Sequence, residues 1–269
     1  MSLASVARPP ELNREDLEGY AKAVADVAAE LVPDHLSILW KGSAQKQWDG
    51  PYDFLPGLSD IDIHIYRRGV FGDPWRMRQA VMDRVGPPPW DTPLQLLALD
   101  TATLPDWWLV MSYEVLHGSA PPISTPSTDV LLKRDRVSLA EAHRHSMRVG
   151  TDVLGLSDGE LWTYLRSVRW MFPSTVQRIA TISGHPPEEV WSMNRTKALA
   201  LVAANPATSH LAAAAVDYFE AALQACGRRD GPSAEGALRA GQSLLDAAGQ
   251  WAASQPDAVI DRRATTPTI

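Results

Sequence analysis

The chain has 269 residues, 45% hydrophobic and 21% charged, enough apolar material for a folded core and unlike disordered or fibrous sequences. Its one cysteine, Cys226, excludes an internal disulfide and a cysteine-clustered metal site, and a net charge of −7 with scattered Lys and Arg disfavours nucleic acid as main partner. The first residues lack the apolar run of a signal peptide and no stretch reaches the length of a membrane span, so a cytoplasmic protein with no membrane partner is expected.

In chain order, Arg14 to Leu31 carries apolar residues at intervals of three and four and predicts a helix stopped by Pro33. The apolar run 35–40 predicts a strand leading into Lys41-Gly42-Ser43. A turn-rich stretch over 44–58 precedes a second strand at 59–66. Asp73 and Pro74 read as the N-cap and first residue of a helix reaching about Val85, and 94–100 reads as a buried third strand. Trp107 to Leu116 is compatible with a helix, and 118–126 with a loop. Beyond Ser138 the apolar spacing is helical over 138–154, 158–183, 187–204, 207–226 and 232–253, with a polar tail after that. The expected architecture is α+β: a small mixed-sheet domain over residues 1–125 followed by an all-helical domain over 126–269.

The stretch that carries chemistry is Gly42-Ser43, a turn-rich loop, and then Ser59-Asp60-Ile61-Asp62-Ile63-His64. Residues i and i+2 of a strand share a face, so Asp60 and Asp62 point one way while Ile61, Ile63 and Ile65 point into the core. Two adjacent carboxylates repel unless a cation lies between them, and hard oxygen ligands of this kind suit Mg²⁺ that also takes substrate phosphate oxygens. Gly42 allows close approach of backbone amides to phosphate, and Ser43 adds a hydroxyl. His64 shares the aspartate face. Trp48, Tyr52 and Phe54 are expected to pack the loop, and Trp107 and Trp108 to mark the domain interface. Trp162, Trp170 and Trp191 are expected in the helical core. His143 and His145 diverge on a helix and make a poor metal pair.

Gly42-Ser43 followed by Asp60-Ile61-Asp62 resembles the Gly-Ser…Asp-x-Asp signature of the polymerase-β-like nucleotidyltransferase superfamily. The layout is similar to that of the aminoglycoside adenylyltransferases. The resemblance implies Mg²⁺ on Asp60 and Asp62, ATP as nucleotide donor, and a small-molecule acceptor held by the helical domain. Arg178 and the later Thr196-Lys197 resemble a region of the streptomycin/spectinomycin-type enzymes whose Arg and Lys approach ATP phosphates, so Arg178 and Lys197 join Gly42 and Ser43 as nucleotide-binding candidates. The superfamily takes a third carboxylate from a later strand. The alignment places Gln95 there, an amide that cannot accept a proton, while Asp100 lies on the opposite face of the same strand and Asp91 and Glu114 are weaker substitutes. The alternative to a working nucleotidyltransferase is therefore an impaired relative that binds nucleotide or a macromolecular partner.

Overall fold

The computed structural model describes residues 12–69, 72–105, 108, 112–121 and 125–255. It is α+β, a four-stranded mixed sheet followed by a mostly helical remainder. Trp107 and the tail beyond residue 255 lie outside the described residues.

Helix α1 (Arg14–Leu31) starts where Asn13 accepts from the Asp16 backbone N–H at 2.8 Å, and its stripe of Leu17, Tyr20, Ala21, Val24 and Ala28 is buried. Strands β1 (Ser37–Lys41) and β2 (Ile61–Arg67) pair antiparallel. Helix α2 (Pro74–Arg84) opens on the expected Asp73–Pro74 pair, the Asp73 carboxylate accepting from the Arg76 N–H at 3.0 Å. It crosses over to β3 (Leu94–Asp100), which runs parallel to β2. The sheet order is β3-β2-β1-β4. Ile61, Ile63 and Ile65 are fully buried beneath α1 and α2, which leaves Asp62 and His64 on the other face.

Strand β4 (Tyr113–Gly118) corrects the second half of the helix expected over 107–116, since Tyr113–Gly118 pairs antiparallel with β1; residues 107 and 109–111 lie outside the described residues. A short apolar run has no periodicity that separates helix from strand, and the free edge of β1 decides it.

The helical half begins earlier than Ser138, at α3 (Thr128–Ala140), capped by Ser127. Its first turns are charged, and only Leu131, Asp135 and Leu139 mark its buried face. The long helical stretches are broken: α4 (Ala142–Asp152) follows α3 after a turn at Glu141, and Pro173 separates α5 (Asp158–Val168) from α6 (Thr175–Ile182). Likewise α7 (Pro187–Ser192) and α8 (Arg195–Ala204) are divided where Asn194 caps α8. The longest pair, α9 (Ser209–Arg228) and α10 (Gly231–Ala253), is joined through a left-handed Arg229 and capped by Asp230. Small residues such as Ala215, Ala222, Ala237 and Ala248 line their buried faces. Phe172, Tyr218 and Phe219 are buried in the same core, each contributing about 1.5–3 kcal/mol of apolar burial.

The β1–β2 loop belongs to both halves. Trp48 stacks on Phe54 at 4.8 Å within the sheet-side core, whereas Leu55 and Leu58 are buried in the helical core and Tyr52 stacks on Phe219 at 5.2 Å. The loop aromatics thus pack as expected. Arg166 to Asp91 (2.9 Å) and Arg229 to the Trp90 carbonyl (3.2 Å) join the halves at a second place. No helix among the described residues is long and apolar enough to cross a membrane.

Candidate functional site

Where the two halves meet, a cavity of about 360 Å³ opens over the start of β2 and the end of β1. Its sheet side includes Lys41, Gly42, Ser43, Lys46, Asp60 and Asp62, and its helical side Arg134, Arg169, Trp170, Gln177, Trp191 and Arg195. The four residues of the Gly-Ser…Asp-x-Asp motif are therefore brought together.

Gly42 follows β1 with φ +83°, a left-handed conformation that favours glycine, and it faces the Asp62 carboxylate. A Cβ at Gly42 would stand 3.1 Å from Asp62 Cγ and nearer still to Oδ2. The carboxylate thus occupies the space that the missing side chain leaves. Burial, and then the neighbouring Asp60, push the Asp62 carboxyl up; Lys41, Arg169 and Arg195 pull the other way without winning. Lys41 lies opposite Asp62 in the β1–β2 register, and burial holds its ammonium below the usual value despite Asp62 and Asp60. Asp60 Oδ2 meets Arg169 Nη2 at 3.3 Å.

The loop is fixed against the N-terminus of α8. Asp53 is buried; its Oδ2 accepts from the N–H groups of Asp49 (2.7 Å) and Gly50 (2.8 Å), and its Oδ1 from that of Thr196 (2.7 Å). Arg195 donates to the Tyr52 carbonyl at 3.1 Å and to Ser59 Oγ at 3.2 Å. Lys46 donates to the carbonyls of Trp191 and Met193, both at 2.7 Å, and burial lowers it to about 8.

Other expected site residues lie elsewhere. Gln95 pairs with Asp62 in the β2–β3 register, the position expected for a third acid, but it is exposed and outside the cavity wall. Asp100, at the far end of β3, is paired with Arg67 and accepts from the Ala102 N–H at 3.0 Å; it lies roughly five residues, or about 16 Å, along the strand from Gln95. It is not part of the site. Asp91 is bound to Arg166, and Glu114 lies 3.9 Å from Lys22.

Lys197 is 58% exposed and pairs with Asp49 at 3.0 Å, away from the cavity. Arg178 is half-buried and outside the cavity lining, donates to Ser174 Oγ at 2.8 Å and is lowered to about 10 by its desolvation. The cations that do line the cavity are Lys41, Lys46, Arg134, Arg169 and Arg195. Arg195 stands next to the Asn194 cap, a local signal that could have singled it out. Arg169 sits in a 3-10 turn after α5 that no periodicity marks.

His64 is 2% exposed, tilted against Tyr66 and Trp108, and burial lowers it to about 3. It is neutral and off the cavity. Trp170 corrects the expectation of a helical core: it is 59% exposed and, with Trp191, borders the cavity. Trp162 packs over Gly57, and His143 and His145 diverge as expected, toward Asp246 and Trp170.

Among the described residues no three or more His, Cys, Asp or Glu side chains gather as a metal site. The available donor set is the Asp60–Asp62 pair, which suits a hard cation that completes its shell with phosphate and water oxygens. Comparison with protein-family models, with curated proteins and with solved structures gave no match, so the chemistry of this cavity is what bears on function.

Proposed function

We propose that the chain is a Mg²⁺-dependent nucleotidyltransferase that moves a nucleoside monophosphate, AMP from ATP by the resemblance, to a hydroxyl of a small molecule. In this reading residues 1–125 form the nucleotidyltransferase domain and 126–269 the acceptor domain, and the setting is cytoplasmic. The observation that carries it is the pair Asp60 and Asp62, the latter set against Gly42, in a cavity lined by five cations.

The pair fits Mg²⁺: the Asp62 carboxyl, pushed up by burial and then by Asp60, is what a divalent cation between the two would relieve. Bound there, Mg²⁺ would neutralise phosphate charge and hold the donor in line. The protein's own contribution is electrostatic. Lys41 and Arg195 flank the carboxylates, Arg169 holds Asp60, and Lys46 faces the same space, so a triphosphate meets fixed positive charge without reorganisation. Calorimetric titration with ATP should give Mg²⁺-dependent binding that Asp60→Ala abolishes, and binding that survives Asp60→Ala unchanged would sink the reading.

Gln95 beside Asp62 favours a second reading, nucleotide binding with impaired transfer. Release of pyrophosphate during turnover with an acceptor separates the two.

A further inference from the structure

The helical side of the cavity has a chemistry distinct from the sheet side. Gln177, in α6, is 6% exposed and borders the cavity, yet its Oε1 is buried with no hydrogen-bond partner among the described residues. A buried amide oxygen in this state is costly, and a turn of the Gln177 amide toward the cavity would let a bound ligand supply the missing O–H or N–H.

Charge decides which. The five lining cations face only three lining carboxylates, Asp53, Asp60 and Asp62, and all three lie on the sheet side. Asp53 is taken up by three backbone N–H groups, and Asp60 is held by Arg169. Behind the helical wall, Asp135 is fully buried and accepts from Arg134, Thr181 and Trp191, with Arg178 beside it. An ammonium group placed on the helical side would therefore find no carboxylate left to pair with, because Asp135 is taken by Arg134 and Asp60 by Arg169. Trp170, 59% exposed, adds an apolar ring face at the same wall.

We infer that the acceptor is an uncharged polyhydroxylated compound rather than a polycationic aminoglycoside, one hydroxyl donating to Gln177 Oε1 and a carbon face lying on Trp170. This rests on the nucleotidyltransferase reading. In the transfer, another acceptor hydroxyl oxygen bonds to the α-phosphorus of ATP. The bond from that phosphorus to the bridging β-oxygen breaks, its electron pair leaves with pyrophosphate, and the hydroxyl proton passes to water.

The test measures pyrophosphate release from Mg²⁺ and ATP with trehalose, myo-inositol and uridine against kanamycin and streptomycin. Uncharged acceptors should give kcat/KM at least tenfold higher than the aminoglycosides. Gln177→Leu should raise the acceptor KM about tenfold while the calorimetric ATP affinity stays put. Gln177→Glu, which adds a carboxylate to the wall, should move the preference at least tenfold toward the aminoglycosides. Aminoglycosides turned over as well as the uncharged compounds, no release with any of the five, or unchanged acceptor preference in both variants would each overturn the assignment. Failure of the underlying reading is seen separately, as absent Mg²⁺-dependent ATP binding in the calorimeter.

Discussion

Replacing Gly42 with alanine probes the site at its tightest point. Two costs follow from the geometry. At φ +83° an alanine is strained by about 1–2 kcal/mol. Its Cβ would also stand 3.1 Å from Asp62 Cγ and nearer to Oδ2, so the carboxylate must withdraw by about 1 Å. A shift of about 1 Å at a reacting centre costs about a hundredfold in rate. Gly42→Ala should therefore lower kcat for pyrophosphate release about a hundredfold and lower Tm by roughly 3–8 °C for a chain of this size. Release assays over a Mg²⁺ series and circular-dichroism melts measure both. A Gly42→Ala chain with wild-type Tm and wild-type Mg²⁺ dependence would refute the idea that Asp62 is held in place by the absent side chain.

Two further outcomes follow from the same corner of the molecule. Burial and Asp60 raise Asp62 to about 7, above the 3.8 of an ordinary aspartate. Without a cation this carboxyl therefore stabilises the fold fully below about pH 4, and that contribution is lost as pH rises toward 7, by at most about 4 kcal/mol. Melts in EDTA should show Tm falling from pH 5 to pH 8 through this group, Mg²⁺ should restore it at pH 8, and Asp62→Asn should flatten the trend; identical profiles for the two proteins would contradict the assignment. Asp53→Ala strips the acceptor from three backbone N–H groups and should cost roughly 3–5 kcal/mol in urea denaturation. A loss under about 1 kcal/mol would mean those groups find other partners.

The sheet-side motif was legible because strand geometry is local. Period two puts Asp60 and Asp62 on one face and the three isoleucines on the other, and Gly42 sits where a strand must turn. The α1 and α2 boundaries were legible for a similar reason, since Asn13 and Asp73 cap within three residues. What sequence alone missed depends on distant partners. Strand β4 exists because β1 offers an unpaired edge, and the ends of α3, α5 and α7 are set by packing and by a proline rather than by periodicity. Arg178 and Lys197 follow from the resemblance alone, but α6 directs Arg178 to Ser174 and α8 directs Lys197 to Asp49, while Arg169 and Arg195 reach the cavity. Asp100 fails for a simpler reason, its distance along β3.

The β1–β2 loop, shared between both cores, has a consequence for synthesis. Asp60 leaves the ribosome well before its partner Arg169, 109 residues later, and Ser59 waits 136 residues for Arg195. At about 5–20 residues per second, the two aspartates spend several seconds or more in a nascent chain whose opposing wall does not yet exist. During that interval both carboxylates remain hydrated. The cavity is thus completed, and its charge concentrated, only after Arg195 at the start of α8 has been made.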